Sequence, residues 1–215
     1  MHSTMGEYSK ALSSFEKSLE IYQNALLPNH PDLATSYNNV GSMHSTMGEY
    51  SKALSFYEKA LQIRKKSLPL NHLDLASSYC NIGQVYDNMG EYTKALSSFE
   101  KSLEIREKSL PPNHPDLATL YNNIGMVYHN MGEYPKALSS HQKGLEIKQK
   151  SLPPNHPSLA TSYNNIGGVY DNMGEYSKAL LFYERAFGIL QRSLPPTHRN
   201  LQGCKKNIDC VRKKL

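Results

Sequence analysis

The sequence predicts an all-α fold, a right-handed superhelical solenoid of antiparallel helix pairs, on three observations. The tetrapeptide Met-Gly-Glu-Tyr occurs at Met5, Met47, Met89, Met131 and Met173, always 42 residues apart. A histidine keeps the same register, at His30, His72, His114, His156 and His198. Apolar residues recur at helical spacing inside the copies, and no stretch alternates with period two. A fixed period means one supersecondary unit repeated, each copy burying its apolar face against its neighbours.

The first helix of a unit is read from residues 73 to 90. Leu75, Tyr79, Ile82, Tyr86 and Met89 step by four, three, four and three residues, which is one stripe of an amphipathic helix. Gly90 ends it. Glycine recurs there as Gly6, Gly48, Gly132 and Gly174, as a left-handed C-terminal turn requires. The second helix starts near Glu91 and Tyr92, with an acid at the positive end of the helix dipole. Pro135 sits in the first turn of a later copy, where proline is tolerated. Tyr92, Leu96, Phe99 and Leu103 form the second stripe, and the helix runs to Leu110, where Pro111 and Pro112 stop it. The next first helix opens at His114-Pro115-Asp116. Tyr86, Phe99 and Tyr128 are assigned to the core.

Residues 1–198 are therefore an array: a truncated half-unit 1–28, then units 29–70, 71–112, 113–154 and 155–196. Residues 199–215 form a C-terminal capping helix, where Lys205, Asp209 and Arg212 replace two tyrosines and a glycine; a terminal repeat needs such a polar outer face. Met1 aligns with Met43, inside a first helix, so the chain opens on a partial unit and no secretory leader is expected. The N-terminal helix has no matching cap. Its stripe of Tyr8, Leu12, Phe15 and Leu19 is expected to be exposed and to form a weak homodimer through residues 8–22.

Composition excludes several function classes. Six basic groups against Asp209 lie in residues 199–215, which leaves 18 basic and 18 acidic side chains in residues 1–198. No nucleic-acid partner is expected from a balanced body. The longest apolar run, Ala179 to Tyr183, is far short of the roughly 18–20 residues of a membrane span. Cys80, Cys204 and Cys210 are odd in number with no CxxC, so neither zinc nor a disulfide framework is expected, and a reduced, cytoplasmic setting is. The histidine column cannot converge on one ion: ligands lie about 2 Å from a metal and stacked helices lie about 8–10 Å apart. These histidines are read as turn and capping residues. There is no glycine-rich phosphate loop, HExxH or G-x-S-x-G, so no cofactor and no enzyme activity are expected.

Numbering a unit from Ala76, the large residue is Tyr79, a Leu-Gly-like pair is Ile82-Gly83, then come Tyr86, the small Ala95 and the aromatic Phe99. The same slots recur as Val40-Gly41, Ile124-Gly125 and Ile166-Gly167, as Tyr128 and Tyr170, and as Ala53, Ala137 and Ala179. This pattern resembles the tetratricopeptide repeat. The common form has about 34 residues; here the proline that ends its second helix falls at Glu107, and that helix continues for about two turns. The 42-residue unit, with Asn-His-Pro-Asp-Leu-Ala and Tyr-Asn-Asn-Ile-Gly, is similar to the kinesin light chain class. No heptad coiled coil of the motor-joining kind is present, so the resemblance implies the repeat class and its peptide-binding habit, not a motor role. His44, His141 and Gly144 break the pattern and are read as drift in a redundant array.

The resemblance places a concave groove on positions two, five, six, nine, twelve and thirteen of the first helices. Position six is Asn39, Asn81, Asn123, Asn165 and Asn207; position five is Asn38, Cys80, Asn122, Asn164 and Lys206. Position two is Thr35, Ser77, Thr119 and Thr161, and position nine includes Gln84. Amides carry donors and an acceptor and can pair with the main chain of an extended peptide. At roughly 0.5–1.5 kcal/mol net each, three or four such bonds make a modest site. One asparagine column bonding neighbouring helices is the other reading. Position twelve (Ser45, Asp87, His129, Asp171) offers no lysine or arginine, which favours a neutral or mildly basic peptide. The function expected is a protein interaction module that binds a short extended peptide, as scaffold, adaptor or part of a larger protein. The alternative is a structural or self-assembling array with no peptide ligand.

Overall fold

The computed structural model describes residues 2–215, with side chains from Tyr8 onward. The chain packs as two compact units, Met1–Ser109 and Leu110–Leu215. The first holds α1 (His2–Ala25), α2 (Pro31–Thr46), α3 (Tyr50–Ser67), α4 (Leu73–Asn88) and α5 (Tyr92–Ser109). The second holds α6 (Pro115–Asn130), α7 (Tyr134–Ser151), α8 (Pro157–Asn172), α9 (Tyr176–Ser193) and α10 (Arg199–Arg212). The described residues form these ten helices and no strand. Within each unit every helix packs on the next in sequence. No helix among the described residues is long and apolar enough to cross a membrane.

The repeated histidines start the first helices. His30, His72, His114, His156 and His198 are extended residues whose Nδ1 accepts the backbone N–H two residues on, at 3.1–3.2 Å. A ring nitrogen thus fills the role usually taken by a Ser or Asp oxygen. The repeated glycines end those helices. At Gly90 (φ 75°), its own N–H bonds to Asp87 O and that of Glu91 to Tyr86 O, both at 2.9 Å. This pair of bonds satisfies two orphan carbonyls at the helix end. Gly6 departs from expectation, because α1 runs through it unbroken. Extending a formed helix adds a hydrogen bond for each residue fixed.

Within a pair, the helices close around one ring. A Cβ on Gly83 would lie 2.9 Å from the Phe99 ring, so only glycine lets α4 lie flat on that ring. Phe99 is fully buried. Gly41–Tyr57, Gly125–His141 and Gly167–Tyr183 repeat the seat. Tyr86 and Tyr128, expected in the core, are only half-buried. They lie at the turn edge, where Lys94 and Lys136 set their Nζ 5.5 and 5.6 Å from the ring centroids. A lysine stem can cover an aromatic face while its ammonium stays in water.

Between pairs, a cation on one second helix reaches the next first helix. Arg64 donates to Ser78 Oγ at 2.7 Å and Asp74 O at 3.2 Å, and Lys148 donates to Ser162 Oγ at 3.0 Å. Burial lowers the pKa of both. The slots read as drift differ in how they pack. His44 is buried, its Nδ1 lies 2.6 Å from Glu49 Oε2, and it stacks on Phe56. A Cβ on Gly144 would meet the Ala118 carbonyl at 3.0 Å. His141 fills the ring seat with neither nitrogen hydrogen-bonded.

The N-terminal stripe is covered in part, which corrects the expectation of an exposed one. Leu19 is buried and Leu12 packs with it against Leu33, Ala34 and Ile63, because α1 meets α2 as α3 meets α4. Tyr8 and Phe15 stay 39% and 37% exposed. At the other end, α10 buries Leu201, Cys204, Ile208 and Val211. It leaves Lys205, Lys206 and Asp209 exposed and pairs Arg212 with Glu184 at 2.8 Å.

Candidate functional site

The asparagines of the first helices meet one another. In the first unit, Asn81 Nδ2 on α4 donates to Asn38 Oδ1 on α2 at 2.9 Å. In the second, Asn165 on α8 donates to Asn122 on α6 at 2.8 Å, and Asn207 on α10 donates to Asn164 on α8 at 3.1 Å. Each rung runs from position six to position five of the preceding repeat. Asn39 and Asn123 are half-buried on α2 and α6. Gln84 is exposed and turns back on its own helix, its Nε2 3.3 Å from Asn88 Oδ1. The position-two hydroxyls of Thr35, Ser77 and Thr119 likewise donate to carbonyls one turn back, at 3.0–3.3 Å.

A second set of rungs lies two turns further along. Asn172 Nδ2 meets His129 Nε2, and Lys214 Nζ meets Asp171 Oδ1 at 2.7 Å. Both run from position thirteen to position twelve of the preceding repeat. Burial lowers the pKa of His129 and favours the neutral ring that can accept. Sequence reasoning missed these pairs. The signal that could have found them is a polar residue at position thirteen paired with one 43 residues earlier, one more than the period.

A rung uses one N–H of the donor amide and one lone pair of the acceptor, so each asparagine keeps a donor and a carbonyl lone pair for something else. The amides are half-buried and held by one another. Beside Asn164 and Asn207 lies a depression of about 370 Å³ that also touches Thr161, Leu190, Arg199 and Asn200. Arg199 is a cation that the groove positions did not disclose, because it enters from the first turn of α10 rather than from the repeated stripe. Among the described residues no three His, Cys, Asp or Glu side chains are grouped to hold a metal ion. The arrangement orients amides.

The sequence profile of the tetratricopeptide repeat matches residues 1–66, 74–150 and 116–192. A search of curated proteins gave no match. Among solved structures, BtubC (BKLC) from P. vanneervenii is similar with a TM-score of 0.80 and 23% identity, over 96% of this chain and 84% of that one. A kinesin light chain candidate of Podosopora anserina, built of nearly identical TPR-like repeats, matches with a TM-score of 0.77 and 21% identity, over 88% and 90%. The apo form of RapI matches with a TM-score of 0.76 and 22% identity, over 87% of this chain and 65% of that chain. At these identities the likeness is one of fold.

Proposed function

This chain belongs to the tetratricopeptide repeat family, whose repeats mediate protein interactions and scaffolding, and from that premise we propose that it binds a short extended peptide on its first helices. The observation that carries the proposal is the pairing of half-buried asparagines, Asn122 with Asn165 and Asn164 with Asn207, the second pair beside an open depression. Amides fixed before binding lose little conformational freedom when a peptide main chain arrives, and that lowers the ordering cost of association. The candidate contacts are Asn38, Asn39, Asn81, Gln84, Asn122, Asn123, Asn164 and Asn165. Arg199 and Asn200 would add an end group at α10. The protein acts by binding and not by catalysis, in a reducing, cytoplasmic compartment, with no nucleic acid as partner. A weak homodimer through α1 accompanies this role.

The rungs also favour the second reading, a structural array, because each amide already has a partner inside the protein. Selection of random peptides on the whole chain, followed by affinity measurement on Asn164→Ala and Asn165→Ala, separates the two. Binding should fall while helix content stays constant. Selection of no peptide, or of peptides indifferent to both substitutions, would leave the structural array as the function.

A further inference from the structure

Tyr37 on α2 and Tyr79 on α4 occupy position four of successive repeats. At about 100° per residue they point roughly 100–200° around the helix from the asparagines of positions five and six. Over each tyrosine lies a depression between consecutive second helices, about 460 Å³ between α1 and α3 and about 360 Å³ between α3 and α5. They are one site repeated. Leu33, Tyr37 and Ile63 recur as Leu75, Tyr79 and Ile105, and the rim lysines Lys59 and Lys66 recur as Lys101 and Lys108.

The rims are cationic. Lys59 Nζ stands 5.6 Å from the Tyr37 centroid, and the Tyr79 ring has Lys65 at 5.5 Å and Lys101 at 5.6 Å. All five lysines are exposed. Glu104 is the one acid lining either depression, and it is held by Lys108 at 2.7 Å. Residues 1–198 balance to zero charge, so this is a local concentration of cations and not a reflection of composition. Gln23 Nε2 donates to the Tyr37 hydroxyl at 2.8 Å and fixes that ring. The second unit repeats the geometry at Tyr163, which receives Gln149 Nε2 at 2.9 Å and has Arg185 6.0 Å from its centroid.

We propose that this face of the first unit docks an extended acidic peptide segment, with carboxylates on the lysine rims and apolar side chains over the Tyr-Leu-Ile floors. Complementary charge selects the acid. Leu33, Ile63, Leu75 and Ile105 in the floors favour aliphatic side chains over the stacked bases of a nucleic acid, which bind aromatic platforms. The two depressions flank α3, about 10 Å across, and a polyproline-II segment rising about 3.1 Å per residue crosses that in about three residues and returns every third side chain to the same face. The ligand therefore carries an apolar side chain at every third position, with acids between.

The probe is a fluorescent dodecapeptide of repeated Glu-Glu-Leu, titrated with the whole chain and followed by anisotropy. It should bind, weaken with added salt, and lose about tenfold in affinity in Lys59→Gln/Lys101→Gln, as removal of facing charge predicts. Lys136→Gln on α7, which lines neither depression, should leave this affinity within about twofold. Helix content should be unchanged in the lysine variant. Absence of binding, binding indifferent to the lysine pair, or equal binding by poly-Glu or oligothymidylate of the same length would overturn the proposal. None of these results bears on the asparagine face, so the two readings stand or fall separately.

Discussion

Asn165 Nδ2 donates to Asn122 Oδ1 at 2.8 Å, across 43 residues of sequence. The offset exceeds the 42-residue period by one, so the ladder climbs from position six of one first helix to position five of the helix before it. Asparagine is among the poorer helix formers, by several tenths of a kcal/mol against alanine. A cross-helix bond of about 1 kcal/mol net offsets that penalty.

Truncating either end of the rung should therefore destabilise the second unit. Asn165→Ala and Asn122→Ala are each expected to lower stability by about 1 kcal/mol. The double variant should lose less than their sum, because the two changes remove the same bond. Urea unfolding of the four proteins measures the coupling. Strict additivity would show that the amides do not act as a pair.

The ring seat gives a larger effect. Gly83→Ala drives a Cβ to 2.9 Å from the Phe99 ring, and overpacking of this kind costs about 1–3 kcal/mol. Phe99→Ala empties the seat and costs about 3–5 kcal/mol. Gly83→Ala should recover much of its loss when combined with Phe99→Leu, whose side chain can turn away. Thermal melts of the three variants check this, and no recovery would place the strain elsewhere.

His141 makes the second unit sensitive to acid. Burial, with lesser contributions from His129 and Lys148, lowers its pKa from 6.5 to about 4. The folded value lies below the unfolded one, so the unfolded chain takes up the proton first. The stability tied to the neutral ring is complete above pH 6.5, falls as the pH drops toward 4, and changes no further below that. A shift of this size corresponds to about 3 kcal/mol. His141→Phe, which restores the ring found at Phe99 beside Gly83, should raise stability at neutral pH and flatten the profile between pH 6.5 and 4. An unchanged acid slope in that variant would assign the sensitivity to other groups.

The helix pairs were legible because each carries its own punctuation. Histidine and proline open the first helix, glycine closes it, and paired prolines stop the second. These signals act within a few residues, where spacing alone decides. What escaped depended on contacts between repeats. Gly6 has the same sequence context as Gly48, yet α1 runs through it unbroken. His44 looked like drift until Glu49 and Phe56 were placed beside it. The asparagine columns were visible as columns. Their pairing was not, because a period of 42 does not disclose an offset of 43. The lysines over Tyr37 and Tyr79 were hidden in the same way: charged positions on second helices gave no hint of the rings beneath them.

The partial unit leads to the last prediction. Phe15 holds the slot that is 5% exposed at Tyr57, 0% at Phe99 and 4% at Tyr183, yet it is itself 37% exposed. Tyr8 and Tyr22, seven residues to either side, are 39% and 36% exposed. Seven residues are nearly two helical turns, so the three rings form one seam along α1. Isolated apolar side chains on a surface need no explanation, but a seam of three aromatics does. A second copy related by a twofold axis presents the same seam in return, and a self-complementary patch is the usual route to a dimer. Stacking onto α10 is disfavoured, because it would bury Lys205, Lys206 and Asp209, all exposed. Sedimentation velocity at rising concentration should show a weak dimer. Phe15→Glu should hold the chain monomeric and leave helix content intact, since Phe15 packs on no first helix of its own. A monomer at every concentration in both proteins would show that the seam is simply solvated.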